Sequence, residues 1–215
     1  MKELTSFKLR VRNAATQYAI VYNTVYVCQS YLLLSDAFQK KPFYVIEAEA
    51  SNYLHLLGVS TCLSPNHFYN KCLDNTLSES DFEISFRNLD SKASKGVIRN
   101  KILALQNMFS LFQSSCLVEE DFNKNVIRCS FASTNSLCTL GFIATPKARP
   151  MTLLRGDELD HHKAKPLTVV LSKKRNELLY SNLVFGNIAS VKKAETIIYP
   201  LLSDTLKYKI SASHQ

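Results

Sequence analysis

The spacing of apolar residues changes along the chain, from helical intervals in the N-terminal half to short apolar runs afterwards. Over residues 9–38 apolar positions recur at steps of three and four, which predicts a long amphipathic helix. The second part of this segment, residues 25–34, is rich in β-branched and aromatic side chains, so a strand remains an alternative there. Lys40, Lys41 and Pro42 end the segment.

Further helices and one early strand are predicted before residue 114. Phe43 and Val45 begin a short strand after Pro42, and a helical turn follows from Ser51. Ser64 and Pro65 have the N-cap and first-turn pattern of another helix. From Lys95, apolar residues stay on one face for about five turns of a helix with 3.6 residues per turn.

Short apolar runs separated by polar turns predict strands in the C-terminal half. They cover residues 126–131, 137–144, 151–154, 167–171 and 178–185, and an apolar stretch at 197–202 is expected to cover the sheet edge. This order predicts an α+β fold in which an N-terminal helical half packs on a C-terminal antiparallel β-sheet. We expect a single domain over 1–215, with a helical extension at 1–41, a core at 42–190 and a tail at 191–215.

Composition narrows the function only by class. The formal charge is +8 and the pI about 9.2, which favours an anionic partner, although a merely soluble basic surface explains both values equally well. Six cysteines form no Cys-x-x-Cys pair, and no cleavable leader or transmembrane segment is evident, so we expect a cytoplasmic protein without membrane contact. Five glycines leave no phosphate-binding loop, and no metal or cofactor motif is present.

Basic residues near predicted strand ends and helix starts are the candidate phosphate contacts. Arg99 and Lys101 lie in the first turns of the helix that begins at Lys95, where a solvated face is the alternative reading. Two other segments carry guanidinium or ammonium groups that suit a phosphodiester. The first segment contains Lys147, Arg149, Thr152 and Arg155, and the second contains Lys173 and Lys174.

Residues 52–82 resemble a known family of nucleases. The string NYLHLLGVSTCLSPNHFYNKCLDNTLSESDF contains an aromatic-x-His-Leu-x-Gly turn, a helix with an aromatic pair and a short Leu-Ser-x-x-Asp segment. It is similar to the phage-type branch of the barnase, EndoU, colicin and RelE (BECR) superfamily, with a match from about residue 43 to residue 185. The resemblance implies helices before a small antiparallel sheet.

The resemblance also implies an activity, that of a metal-independent ribonuclease of phage, mobile-element or toxin type. His55 would then be the general acid or base, because imidazole exchanges protons near neutral pH. Lys101, Arg149 and Arg155 would stabilise phosphate charge, and Thr152 and Tyr69 would position it. RNA is the expected partner, with an antitoxin or immunity protein as a second one and no small-molecule cofactor.

Two other functions remain open at this point. His55 is also explained as a satisfied core histidine, and the charge is equally compatible with a catalytically inactive nucleic-acid-binding or protein-binding module. A structural or interaction protein of a phage is the third possibility. The three differ in whether His55, Lys101 and Arg155 surround one accessible site.

Overall fold

The computed structural model describes residues 6–84 and 90–212, and all structural statements concern these residues. The helices are α1 (Phe7–Tyr22), α2 (Asn52–Leu57), α3 (Pro65–Leu73), α4 (Ser91–Met108), α5 (Ile188–Lys193), α6 (Glu195–Ile198) and α7 (Asp204–Ala212). The strands are β1 (Gln29–Ser35), β2 (Tyr44–Ile46), β3 (Leu117–Glu120), β4 (Asn123–Lys124), β5 (Ile127–Arg128), β6 (Phe131–Thr134), β7 (Cys138–Ala144), β8 (Ala148–Arg155), β9 (Lys165–Lys174) and β10 (Asn182–Phe185).

The first helix is shorter than its apolar periodicity predicts. The side chain of Ser6 caps α1 by accepting a hydrogen bond from the Leu9 amide, and α1 ends at Tyr22. A π-helical turn, Asn23–Val27, follows, and β1 then begins at Gln29. The single helix predicted over residues 9–38 is therefore wrong after the π-helical turn, and the strand alternative for residues 25–34 is correct from Gln29 onwards. β-branched and aromatic side chains there pack better on a pleated sheet than along a helix.

The predicted cap of α3 is confirmed, whereas α4 begins earlier than predicted. Ser64 caps α3 by accepting a hydrogen bond from the His67 amide, with Pro65 in the first turn. The long helix predicted from Lys95 begins four residues earlier, because Asp90 accepts a hydrogen bond from the Ala93 amide and so caps α4. The polar stretch 87–94, whose composition predicts a surface loop, is helical from Ser91, and its residues 87–89 lie outside the described residues.

The sheet is curved and mixed, not flat and antiparallel as predicted. Within the described residues, seven strands follow the order β1-β2-β8-β7-β6-β3-β9, and β9 pairs again with β1 to close a barrel-like sheet. β10 pairs with the other edge of β9, and β2 runs parallel to β8 while the remaining pairs are antiparallel. The α+β class is supported, but β1 and β2 come from the half predicted to be helical.

Different helices pack against the two faces of the barrel-like sheet. On β1, Tyr31 and Leu33 belong to the main core with helices α1 to α4, whereas Leu32 and Leu34 face the opposite way. That outer face is covered by α5, α6 and α7, whose Val191, Ile198, Leu206 and Ile210 are buried against it. The apolar stretch predicted to cover a sheet edge is thus one part of a larger helical cover. None of the described helices is both long and apolar enough to span a bilayer.

Candidate active site

The C-terminal end of α2, the middle of α4 and strand β8 pack against one another. Gly58 ends α2 in the left-handed conformation, and the Lys101 side chain of α4 lies directly over it. The Lys101 Nζ donates a hydrogen bond of 3.1 Å to the His55 carbonyl oxygen. Burial lowers the pKa of Lys101 to about 8, because removing an ammonium group from water disfavours its charged form. This amine can therefore exchange a proton near neutral pH.

The other two main catalytic candidates are connected to α4 through the backbone of His55 and the side chain of Arg155. The imidazole of His55 is exposed on the last turn of α2, and no hydrogen bond joins it to another side chain in the described part of the chain. The core-histidine explanation is therefore wrong. Arg155, at the end of β8, donates a hydrogen bond of 3.1 Å from Nη1 to the Asn100 side chain, next to Lys101. We call the group His55, Lys101 and Arg155 the α4 junction.

Thr152 and Tyr69 do not lie at the α4 junction. Side chains alternate along a strand, so Thr152 points away from the face of β8 that carries Arg155. It packs beside Gly141 and Cys129, on the opposite side of the sheet. Tyr69 is 2% exposed in the main core, where its hydroxyl donates to the Asn23 side chain at 3.1 Å. A ring buried in this way has no face open to RNA, so the prediction that Tyr69 binds nucleic acid is wrong.

A second cluster of charged groups lies at the start of β8, on the outer face of the sheet. Glu47 follows β2, and its side chain is only 10% exposed. Its carboxylate contacts the Lys147 Nζ at 2.6 Å and the Arg175 Nη2 at 3.9 Å. Ser30 donates a hydrogen bond of 3.2 Å to the same carboxylate, and Tyr180 lies 3.1 Å from Ser30. We call Glu47, Lys147, Arg175, Ser30 and Tyr180 the Glu47 cluster.

Neighbouring elements hold the Glu47 cluster in place. The Glu47 amide donates to the Ala148 carbonyl at 2.9 Å, which continues the pairing of β2 with β8. Arg175 also donates a short hydrogen bond to the Ala48 carbonyl. Burial raises the pKa of Tyr180 above its ordinary value, so its hydroxyl stays protonated at neutral pH and is available as a donor to Ser30.

Three of the predicted nucleic-acid-binding residues, Lys147, Arg149 and Lys173, lie on the same face of the sheet as this cluster. Lys147 belongs to it, and Arg149 forms an ion pair of 3.0 Å with Glu49. The Lys173 Nζ lies 5.2 Å from the centre of the Tyr180 ring. Lys174, the next residue of β9, points to the opposite face of the sheet. Arg99 lies elsewhere, on the exposed side of α4, with its guanidinium 5.6 Å from the Phe7 ring.

The basic turn after β9 reaches the start of β8 and not its end. Arg175 contacts Glu47 beside Lys147, whereas Arg155 closes the strand seven residues after Ala148. At about 3.3 Å per residue this separation amounts to roughly 23 Å along the strand. The basic turn is therefore not beside Arg155, and the α4 junction and the Glu47 cluster are separate sites.

A comparison with models of protein families shows which family the chain belongs to. Residues 16–189 match the model of a family described as phage-Barnase-EndoU-ColicinE5/D-RelE like nuclease4, PBECR4. The chain belongs to this family. The match confirms the resemblance seen in the sequence and begins well before residue 43, so it includes the C-terminal part of α1 and all of β1. No curated protein and no solved structure matched the chain.

The Glu47 cluster of this PBECR4 member was missed in the sequence, although a signal for it exists. Glu47 and Glu49 are two residues apart, as are Lys147 and Arg149. Equal spacing on two adjacent strands places both pairs on one face in register. The sequence pattern does not reveal that β2 and β8 are neighbours, so the two spacings remained unconnected.

Metal-binding potential is a separate question for this PBECR4 chain. Over residues 6–84 and 90–212, no three or more His, Cys, Asp or Glu side chains are grouped so that they would hold a metal ion. The groups that the chain itself offers to a substrate are a carboxylate, ammonium and guanidinium groups, hydroxyls and an exposed imidazole. These groups are able to accept and donate protons and to stabilise negative charge.

Proposed function

We propose that the protein is an endoribonuclease that cleaves RNA by general acid-base catalysis without a metal ion. The observation that carries this proposal is the nearly buried Glu47 carboxylate among the cations Lys147 and Arg175, whose side chains are 53% and 36% exposed. A carboxylate that accepts a proton beside cations that bind a phosphodiester is the minimal equipment for attack by a 2′-hydroxyl. Family membership supports the nuclease class.

The roles within the Glu47 cluster follow from its chemistry. Glu47 takes the proton from the 2′-hydroxyl of the RNA, and the hydrogen bond from Ser30 orients the carboxylate. The Lys147 ammonium gives a proton to the departing 5′-oxygen, and Arg175 stabilises the charge that develops on the phosphate. The products of this step are a 2′,3′-cyclic phosphate end and a 5′-hydroxyl end.

The α4 junction is the competing location for the chemistry. His55 as acid or base, with Lys101 and Arg155 at the phosphate, remains a prediction that is supported by the exposed imidazole and by the lowered pKa of Lys101. The same substrate cannot be cleaved by both sites in one step if they are separate. Variants of the two sites therefore decide between them.

The test is cleavage of total RNA in excess EDTA by the full chain and four variants. Glu47→Gln should lower the rate by about 10²-fold or more, the range typical for loss of a general base. Glu83→Gln is the matched control, because Glu83 is also ion-paired but its side chain is 69% exposed. His55→Ala is compared with His67→Ala, a similarly exposed histidine of α3. Intact RNA at molar excess of the wild-type protein would overturn the proposal.

A catalytically inactive RNA-binding module is the second candidate function. The observation that favours it is that Lys147 and Arg149 are each neutralised by a glutamate of the same chain. Binding that weakens steeply with salt, without any cleaved product, would support this candidate. Cleavage that Glu47→Gln abolishes would rule it out.

A further inference from the structure

An open cavity of about 320 Å³ lies beside the basic turn that follows β9. It is bordered by the π-helical turn, the segment after α4 and strands β1, β9 and β10. Tyr31 and Ser172 line it, and both point to the inner face of the sheet, away from the side of β1 that carries Ser30. The cavity and the Glu47 cluster therefore lie on the two sides of the same pair of strands.

Aromatic rings form the apolar part of the cavity. Tyr31 and Phe112 contact each other with ring centres 5.5 Å apart, and Phe109 adds a third ring, itself packed against Tyr18. The Tyr31 hydroxyl donates a 2.7 Å hydrogen bond to the Val25 carbonyl of the π-helical turn, so its ring is held in place. Tyr31 and Phe112 are only 8% and 4% exposed and so form the floor of the cavity, whereas Phe109 is partly exposed. Phe109 is therefore the ring on which a flat aromatic heterocycle can stack, a contact that contributes about 1–3 kcal/mol.

Three side-chain amides from three elements supply the polar part. They belong to Gln29, Gln113 and Asn182. Gln113 and Asn182 are exposed, and within the described residues none of the three amide groups is hydrogen-bonded to another residue of the chain. Each amide offers a donor and an acceptor side by side, the arrangement that pairs with the edge of a nucleobase.

The wall of the cavity between β1 and the end of α4 includes a π-helical turn, whose backbone is wider than that of a regular α-helix. This turn, Asn23–Val27, contributes Thr24, Val25 and Tyr26 to the lining. Such turns are rare in helices and occur frequently at functional sites. The Tyr26 hydroxyl fixes the turn by donating a 2.7 Å hydrogen bond to the Met108 carbonyl of α4.

Positive charge lies where a phosphate attached to such a base would be found. Lys174 is the direct cross-strand partner of Gln29, so both side chains leave the same face of the sheet about 5 Å apart at their Cβ atoms. Its neighbour Lys173 is paired with Ser30 and belongs to the side of the Glu47 cluster. The turn therefore connects the cavity to the proposed cleavage site with cations on both faces.

We propose that this cavity, lined by Gln29, Gln113, Asn182 and the rings of Tyr31, Phe109 and Phe112, binds one nucleobase of a single-stranded RNA and gives the protein its base preference. The inference rests on the proposed function for the identity of the ligand, but it concerns recognition and not bond cleavage. An RNA strand in this arrangement passes over the basic turn, with a base on one side and a phosphate at the Glu47 cluster on the other.

The experiment measures binding and not cleavage. A failure of the nucleobase-binding proposal can therefore be distinguished from a failure of the RNA-cleavage proposal. The full chain carrying Glu47→Gln is titrated with the four ribonucleoside 3′-monophosphates and with ribose 5-phosphate as a probe without a base. We expect at least one base to bind about tenfold more tightly than ribose 5-phosphate, a difference of about 1.4 kcal/mol. Equal binding of all five probes, or binding of none, would overturn the inference.

Substitutions of residues that line the cavity test whether the base preference arises there. Asn182→Ala and Gln113→Ala, in the same Glu47→Gln background, should each weaken the favoured nucleotide by about fivefold to tenfold, since one amide pair to a base contributes about 1–3 kcal/mol of discrimination. The matched controls Asn66→Ala and Gln106→Ala remove exposed amides of α3 and α4 and should leave binding unchanged. Unchanged binding in both cavity variants would disprove the assignment, even if the wild-type protein cleaves RNA.

Discussion

At the scale of single residues, Gly58 and Lys101 depend on each other. Gly58 has φ of 73°, a conformation that costs other residues energy, and a Cβ at this position would collide with the Lys101 side chain. In the sequence, Gly58 is part of the aromatic-x-His-Leu-x-Gly turn, and Lys101 is predicted as a phosphate contact. Their contact was not predictable, because it requires α2 and α4 to be adjacent.

Replacement of the two helix-associated glycines should therefore have opposite effects. Gly58→Ala should lower the free energy of unfolding by more than about 1 kcal/mol, because it adds backbone strain and displaces Lys101. Gly96→Ala, inside α4 with nothing within 4 Å of the new methyl group, should raise it by about 0.5–1 kcal/mol. Urea denaturation measures both values, and equal effects of the two substitutions would refute the packing described for Gly58.

Because of Lys101, the free energy of unfolding should also depend on pH in the alkaline range. The pKa of Lys101 falls from 10.5 to about 8 on folding, so the unfolded chain binds more protons between these two values. Its contribution to the free energy of unfolding should then rise with pH over that window, by about 1–3 kcal/mol in total. Lys101→Met keeps the apolar stem and should remove this rise.

The measurement compares urea denaturation of wild type and Lys101→Met from pH 7 to pH 10. The stability of the variant relative to wild type should be highest at pH 7 and should decrease as the pH rises. Ionisation of the buried tyrosines affects both proteins alike and cancels in the difference. Lys95→Met, an exposed position on the same helix, should show a constant difference, and the same constant difference in Lys101→Met would contradict a buried amine.

At the scale of elements, local signals predicted the starts of helices well and their ends less well. Ser64 with Pro65 located α3, because capping and proline geometry act within a few residues. The end of α1 was missed, since its apolar spacing continues into β1 and only the pairing with β2 and β9 decides for a strand. Local periodicity cannot report a partner strand more than a hundred residues away.

The helices after β10 are expected to stabilise the barrel-like sheet by covering its outer face. Ile198 of α6 is fully buried against Leu32 and Leu171, whereas its neighbour Ile197 is 48% exposed. Ile198→Ala should therefore cost about 2–5 kcal/mol and Ile197→Ala less than about 0.5 kcal/mol. Chemical denaturation of both variants tests this difference. Similar losses would mean that α6 does not pack on the sheet as described.

At the scale of the whole molecule, the closed sheet explains why the candidate sites were only partly predictable. Lys147 and Arg149 were recognised from charge, and the parallel pairing of β2 with β8 then brings them against Glu47 and Glu49. In the sequence, Glu47 is only a polar residue after the predicted strand that begins at Phe43. Its chemical environment depends on strand order and closure, which composition and periodicity do not encode.

The distribution of charge follows the same architecture. The net charge of +8 alone did not distinguish nucleic-acid binding from simple solubility. In the folded chain, cations from β8 and from the turn after β9 converge on one part of the outer face, close to a nearly buried carboxylate. This convergence is what makes RNA cleavage the central proposal.

The most direct test of that proposal uses a DNA oligonucleotide that contains a single ribonucleotide, incubated with the full chain in EDTA. Attack by the 2′-hydroxyl predicts one cut, directly 3′ of the ribonucleotide, that leaves a 2′,3′-cyclic phosphate, with no cut in the all-DNA strand and none by Glu47→Gln. Equal cleavage of both strands, or an undiminished cut by Glu47→Gln, would contradict the account.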